Sequence, residues 1–315
     1  MTMQPGLNPQ AESVLSDPTD GGGTDTEFDL PSRSRGQIAR SRFLHSWTAM
    51  GGLIVFVGVV GFCYIYPHFY RWTWSFPDLK APNVHPGQKG HILGTDATGF
   101  DLLAQMMQGT QRDFIIVVVS TAVSTFLGVM VGALAGYYGT FVDNLLMRLV
   151  DVMLAVPSLV ILIVVARAYN LGDFGLALLI GLFAWMGLSR LIRAEFLGLR
   201  EREFVEAAHA MGASGGRIIF KHLLPNVLST ILVFTTISAA TAIIAETSLT
   251  FLGYGIHPPD TSLGLLISNG VDAADTRGWL FYYPGILILV IVLSVSLIGE
   301  GVRNAYDPRA TRVRD

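Results

Sequence analysis

The 315-residue sequence is short of charge and nearly without cysteine. Asp, Glu, Lys and Arg supply 14% of it, whereas an ordinary soluble domain carries about 25%. Most of the chain therefore cannot present a water-facing surface. Its single cysteine, Cys63, lies in an apolar run and excludes an internal disulfide, a thiolate metal site and a redox pair. No stretch fits G-x-x-x-x-G-K-[ST], so the chain has no phosphate-cradling loop of its own. The seven histidines, at 45, 68, 85, 91, 209, 222 and 257, are scattered, and none forms a close ligand pair with an acid. Neither a metal site nor a catalytic constellation emerges, and the expectation is a protein that is not an enzyme.

What is present is hydrophobic sequence, 51% of all residues, gathered into runs. Six of them, at about 47–66, 114–136, 149–168, 175–194, 227–249 and 281–301, are long enough to cross a bilayer as helices. This predicts an all-α membrane protein with six transmembrane helices within residues 46–309. Trp47, Tyr64 and Tyr66 suit the two interfaces of the first span. The second contains Gly128, Gly132 and Gly136, a stripe at i+4 spacing that either lets another helix approach closely or is simply tolerated in an apolar helix. Residues 1–45, rich in Gly, Pro, Ser, Thr and Asp, read as a disordered tail, and 310–315 as a short polar end. Between the first two spans lies a loop punctuated by Pro67, Pro77, Pro82 and Pro86. The pattern Phe100, Leu102, Leu103, Met106, Met107 near its end is amphipathic and too short to span, which predicts a helix along the membrane surface.

Orientation follows from Lys and Arg. With the amino end inside, fifteen fall in inner segments and six, counting Arg167, in or near outer ones. Both termini are then expected in the cytoplasm, together with the 201–226 loop. Ionisable residues within spans are few and lie near ends: Asp151, Arg167, Glu195, Glu246 and Glu300. That scarcity speaks against an ion-coupled carrier and favours a pathway lined by hydroxyls and backbone. Thr235, Thr236, Ser238, Thr241, Ser294 and Ser296 are its candidates, although each hydroxyl serves its own helix backbone equally well.

The organising stretch is Glu201–Asn226, EREFVEAAHAMGASGGRIIFKHLLPN. Its pattern is a short amphipathic helix, a sharp turn and a second short helix. Val205, Ala208 and Met211 fall on one face, with Glu201, Glu203 and Glu206 towards the other. Gly212 marks a left-handed turn, Ser214 is a candidate cap, and Pro225 is expected to interrupt the second helix. A DNA-reading helix-turn-helix is excluded by the membrane-length runs on both sides. The balance of three Glu against Arg202, Arg217 and Lys221 also excludes it, because groove readers carry a basic excess.

Glu206-Ala207-Ala208, Gly212 four residues on, and Leu224-Pro225 resemble the EAA loop of ABC-importer permeases. Three more segments resemble the C-subunit branch of dipeptide and oligopeptide importers, so that the likeness covers about 90–309. They are LGTDATGFDLLAQMMQGT (93–110), AETSLTFLGYGIHPPDTSLGLLI (245–267) and YYPGILILVIVLSVSLIGEGVRNAYDPR (282–309). Phe100 stands where arginine is usual, and Glu300 where aspartate is commoner.

The resemblance implies a type I ABC-importer permease fold in a bacterial inner membrane. Glu206, Ala207, Ala208, Gly212, Arg217, Leu224 and Pro225 would couple it to an ATPase. Thr235, Thr236, Ser238, Thr241, Glu246 and Ser294 are candidates for the pathway or outer gate. Implied partners are a homologous second permease subunit, two ATP-binding subunits carrying ATP and Mg2+, and an extracytoplasmic substrate-binding protein. The implied cargo is short peptides, with nickel complexes, glutathione or haem in relatives. Readings of other classes are an ion-coupled carrier or channel working without an ATPase, and a membrane-anchored scaffold.

Overall fold

The computed structural model describes residues 35–169 and 171–306. Most of the expected tail and the whole 310–315 end lie outside the described residues. Residues 35–45, the last part of the expected tail, form helix α1 (Arg35–His45). No named strand occurs among the described residues, only isolated bridges such as Thr95 with Asp101.

Four continuous helical stretches are long and apolar enough to cross a membrane: Trp47–His68, Leu102–Tyr138, Gly215–Phe251 and Trp279–Tyr306. Two bent helix pairs bring the number to as many as six. The first stretch contains α2 (Trp47–Ile65), whose N-terminus is capped by the Ser46 hydroxyl. The second is α3 (Leu102–Tyr138), 37 residues without a break and about 55 Å long at 1.5 Å per residue. It corrects the expected surface helix at 100–107, which is instead the first two turns of α3. The Asp101 carboxylate accepts the Ala104 N–H at 2.8 Å and starts the helix there. Leu103 and Met107 bury against Cys63 rather than facing lipid.

Where the third and fourth spans were expected, the structure has bent helix pairs. Pro157 has no N–H to continue a helix and forces Val156 into extended backbone. Helices α4 (Thr140–Ala155) and α5 (Ser158–Ala168) therefore meet at 80°. Helices α6 (Asp173–Ala184) and α7 (Met186–Arg200) meet at 42° around Trp185, where no proline stands. There the Trp185 indole N–H donates to the Leu182 carbonyl at 2.9 Å, giving that carbonyl a side-chain partner beside the break.

The cytoplasm-expected loop contains α8 (Glu203–Ala210) and α9 (Gly215–Ile218), followed by a π-helical turn, Ile219–Leu223, and α10 (Leu224–Phe251). Two expectations change here. Pro225 does not interrupt a helix, because it occupies the first turn of α10, where its missing N–H is not needed. The wider π turn makes the adjustment, with Leu224 N–H donating to the Ile219 carbonyl. Ser214 stands at the cap position of α9, yet its side chain makes no capping hydrogen bond. Helices α11 (Leu263–Gly270) and α12 (Trp279–Tyr306) are the last among the described residues.

Helix α3 is the centre of the packing. It lies along α6 and α7, while α2 packs on α12, and α10 packs on both α12 and α3. The glycine stripe faces α7. A Cβ on Gly132 would stand 2.5 Å from the Ser189 carbonyl oxygen, and one on Gly136 would stand 2.5 Å from Phe196 Cβ. Only glycine permits this approach. One hydrophobic cluster fills the region where α3, α6, α10, α11 and α12 meet; a second gathers at the α8–α9 end.

Candidate functional site

The sequence marks two places, the α8–α9 knob and the hydroxyl-bearing face of α10. In the knob, Val205 and Ala208 of α8 and Ile218 of α9 are fully buried against Ile192 and Phe196 of α7 and Ala133 of α3. Burying side chains such as Val and Ile contributes about 1.5–3 kcal/mol each, so α3 and α7 fix the knob's angle. Met211, expected on the same face, is 80% exposed beyond the end of α8.

The turn between the two short helices is a Schellman motif. Gly212 has φ +77°, its N–H donates to the His209 carbonyl at 2.9 Å, and Ala213 N–H reaches the Ala208 carbonyl at 3.0 Å. Tyr137, at the end of α3, stacks on His209 with 6.3 Å between centroids and lies under Gly215. Glu206 and Ala207 point outward, as do Arg217 and Pro225, while Leu224 is half-buried. Glu206 also lines a cleft of about 570 Å³ with Tyr137, Arg200 and His209. Glu203 and Glu206 sit in the first turn of α8, where the helix dipole favours acids. The outward face adds three exposed apolar side chains, Phe204, Met211 and Phe220.

Below the knob, two ion pairs tie α4 to α7. Arg193 holds Asp143 in a two-pronged pair, with Nη2 to Oδ2 at 2.5 Å, and Arg190 meets Asp151 at 2.5 Å. The members of each pair lie far apart in sequence, and no local pattern pointed to either.

The candidate pathway residues do not form one line. Thr235 and Thr236 share a cavity of about 420 Å³. Ser238 and Ser294 are buried, and Thr241 is exposed. Most of these hydroxyls serve their own helix. Thr235 donates to Ile231 at 2.7 Å, Thr236 to Val233 at 2.8 Å, Thr241 to Ile237 at 2.9 Å and Ser294 to Val290 at 2.5 Å.

Glu246, read from sequence as a residue near a helix end, is wholly buried. Thr250 and Thr247 donate to its carboxylate at 2.8 and 3.4 Å, and Thr250 also accepts the Ile256 N–H at 3.1 Å. This ties α10 to the loop before α11. Asp113, which the sequence reading passed over, is 6% exposed and accepts the Leu263 N–H at 3.1 Å. Its position one residue before an unbroken apolar run was the available signal. Asp113 thus joins Glu246, which the sequence reading named, among the buried carboxylates of the described residues.

Residues 128–312 match the family described as "Binding-protein-dependent transport system inner membrane component". The oligopeptide transport system permease protein OppC of Mycobacterium tuberculosis is 40% identical over 92% of this chain and 98% of that one. The chain belongs to this inner-membrane transport family. The permease is also 32% identical to the oligopeptide transport system permease protein OppC of Haemophilus influenzae, over 90% of this chain and 91% of the relative. Among solved structures, a chain of the MetNI methionine ABC transporter, in an inward-facing conformation, superposes with a TM-score of 0.54. That match has 18% identity and covers 65% of the permease and 98% of the other chain, so it speaks to fold alone. The knob and the helix pairs described above fall inside the matched region or adjoin it.

Proposed function

We propose that the permease forms half of the membrane path of an ATP-driven importer of short peptides, with the α8–α9 knob as its coupling handle. A homologous second permease subunit completes the path. Two ATP-binding subunits, carrying ATP and Mg2+, grip the knob from the cytoplasm, and an extracytoplasmic binding protein delivers cargo to the opposite face. Both termini lie in the cytoplasm, as the uneven spread of Lys and Arg supports. The names of the relatives support peptide cargo.

One observation carries this reading: the knob is locked to α3 and α7 on its inner side while Glu206 and Ala207 face outward. ATPase closure would move the knob, and the knob would shift the helices between two arrangements. The test is uptake of a labelled tripeptide by cells lacking their own importer and expressing the complete system. Gly212→Asp, which adds a charge as well as a side chain at the gripped surface, should cut uptake while the ATP-binding subunits still copurify. Uptake at the wild-type rate by this variant would refute the coupling role. Uptake of nickel complexes, glutathione or haem in place of peptide would reassign the cargo alone. The buried Asp113 and Glu246 favour a second reading, an ion-coupled carrier acting by itself. Transport by the purified permease without any ATPase would establish that reading instead.

A further inference from the structure

We propose that the cavity beside Asp113 binds an amphiphilic primary amine, an apolar body carrying one ammonium group. The cavity, about 420 Å³, lies among α2, α3, α10 and α12 and falls within the size range of small-molecule sites. Its walls are apolar, with Phe56, Phe114, Val117, Ile291 and Val295 among them.

Two residues of that lining each carry a buried polar atom with no partner in the protein. The Asp113 carboxylate spends Oδ2 on the Leu263 N–H, while its Oδ1 is buried and unpaired. The other is the Thr121 hydroxyl, also buried and unpaired. Thr121 lies eight residues further along α3, about 12 Å at 1.5 Å per residue. The remaining lining hydroxyls, Thr110, Thr235 and Thr236, all donate to carbonyls of their own helices.

The charged groups acting on Asp113 are acidic, Glu246 and Asp173. The neighbouring cation, Arg112, is engaged elsewhere, by Asp173 at 3.2 Å and Asp260 at 2.6 Å. A buried acceptor oxygen with neither donor nor cation is costly, and a ligand ammonium relieves that cost. Phe56 and Phe114, with centroids 5.2 Å apart, line the same cavity, and aromatic rings near an ammonium add attraction.

A peptide does not suit this slot, since its amide groups would be left without partners against apolar walls. The ligand is therefore distinct from the cargo proposed above, and the test requires neither ATPase nor transport. The full-length chain is placed in phosphatidylcholine nanodiscs, and octylamine binding is measured by calorimetry against empty discs. Octanol, of the same length and uncharged, is the control.

Octylamine should bind saturably and octanol should not. Asp113→Asn keeps an acceptor for Leu263 and should weaken octylamine binding at least ten-fold; Phe114→Leu should weaken it about three-fold. Competition by discs containing phosphatidylethanolamine would identify a lipid headgroup as the natural source, and its absence a soluble amine. Equal binding of octylamine and octanol would overturn the proposal. So would wild-type octylamine affinity in both variants, which would mean that a proton alone satisfies the carboxyl.

Discussion

Gly212 holds φ +77° with open space where a Cβ would stand, so its constraint is conformational and not steric. A side chain there costs about 1–2 kcal/mol, and asparagine tolerates the geometry better than other residues. Uptake rates at equal membrane abundance should therefore fall in the order Gly212, then Asn, then Ala, then Val. Rates that follow side-chain size alone, with Asn below Ala, would contradict this.

The two arginines of α7 should differ as well. Arg190 and Asp151 are both about half exposed, and such pairs contribute about 0–1 kcal/mol. Asp143 is 12% exposed and gains two hydrogen bonds from Arg193, so its loss leaves a largely buried charge unpaired. Arg193→Ala should lower the melting temperature clearly more than Arg190→Ala; equal losses would remove the distinction. Neither pair was legible in the sequence, because the folded chain creates both contacts across dozens of residues.

A different residue effect belongs to the 67–101 loop. Tyr70 donates to Asp101 at 3.1 Å, and burial, then the Asp101 charge, push its hydroxyl well above the usual tyrosine range. A raised value means that the contact's stability is intact below the ordinary pKa, about 10, and is lost as pH rises through the raised one. In an alkaline titration followed by tryptophan fluorescence, Tyr70→Phe should remove one transition. An unchanged curve would count against the contact.

At the scale of elements, the glycine stripe separates packing from composition. Gly132→Ala must push against the Ser189 carbonyl of α7, whereas Gly51→Ala on α2 meets nothing within 4 Å. The first should destabilise the protein measurably in detergent melts, and the second should leave it unchanged. The i+4 spacing made the stripe visible from sequence, but nothing there named α7 as its partner. The break at Pro157 was not read, for 149–168 counted as one span and proline alone does not decide the matter: Pro284 lies inside the continuous α12. Nor was the bend at Trp185, because an indole reaching a carbonyl is a tertiary event. The π turn before Pro225 also escaped, for the sequence shows a proline but not which neighbouring turn will widen to admit it.

At the scale of the whole molecule, run length located four spans and the two bent pairs that would make six, since burial in lipid acts on sequence directly. The side to which each loop belongs is testable because Cys63 is the chain's one cysteine. In a Cys63→Ser background, cysteine placed at Asp275 should react with an impermeant maleimide on intact cells. Cysteine placed at Glu206 should react only after permeabilisation, and the opposite pattern would invert the proposed orientation. The meeting of Asp113 with the start of α11 lay beyond reading, since it joins positions 150 residues apart.

Helix α3 runs from the Asp101 cap to Tyr137 as one unbroken rod. A rod of that kind tilts more readily than it bends, because bending would stretch its whole ladder of hydrogen bonds. Tyr137 sits beneath the turn that holds Gly212, and Asp101 carries His91 and Tyr70 at the far tip. If α7 serves as the fulcrum along the glycine seam, a sideways nudge at one tip returns at the other with its direction reversed, as with a tiller.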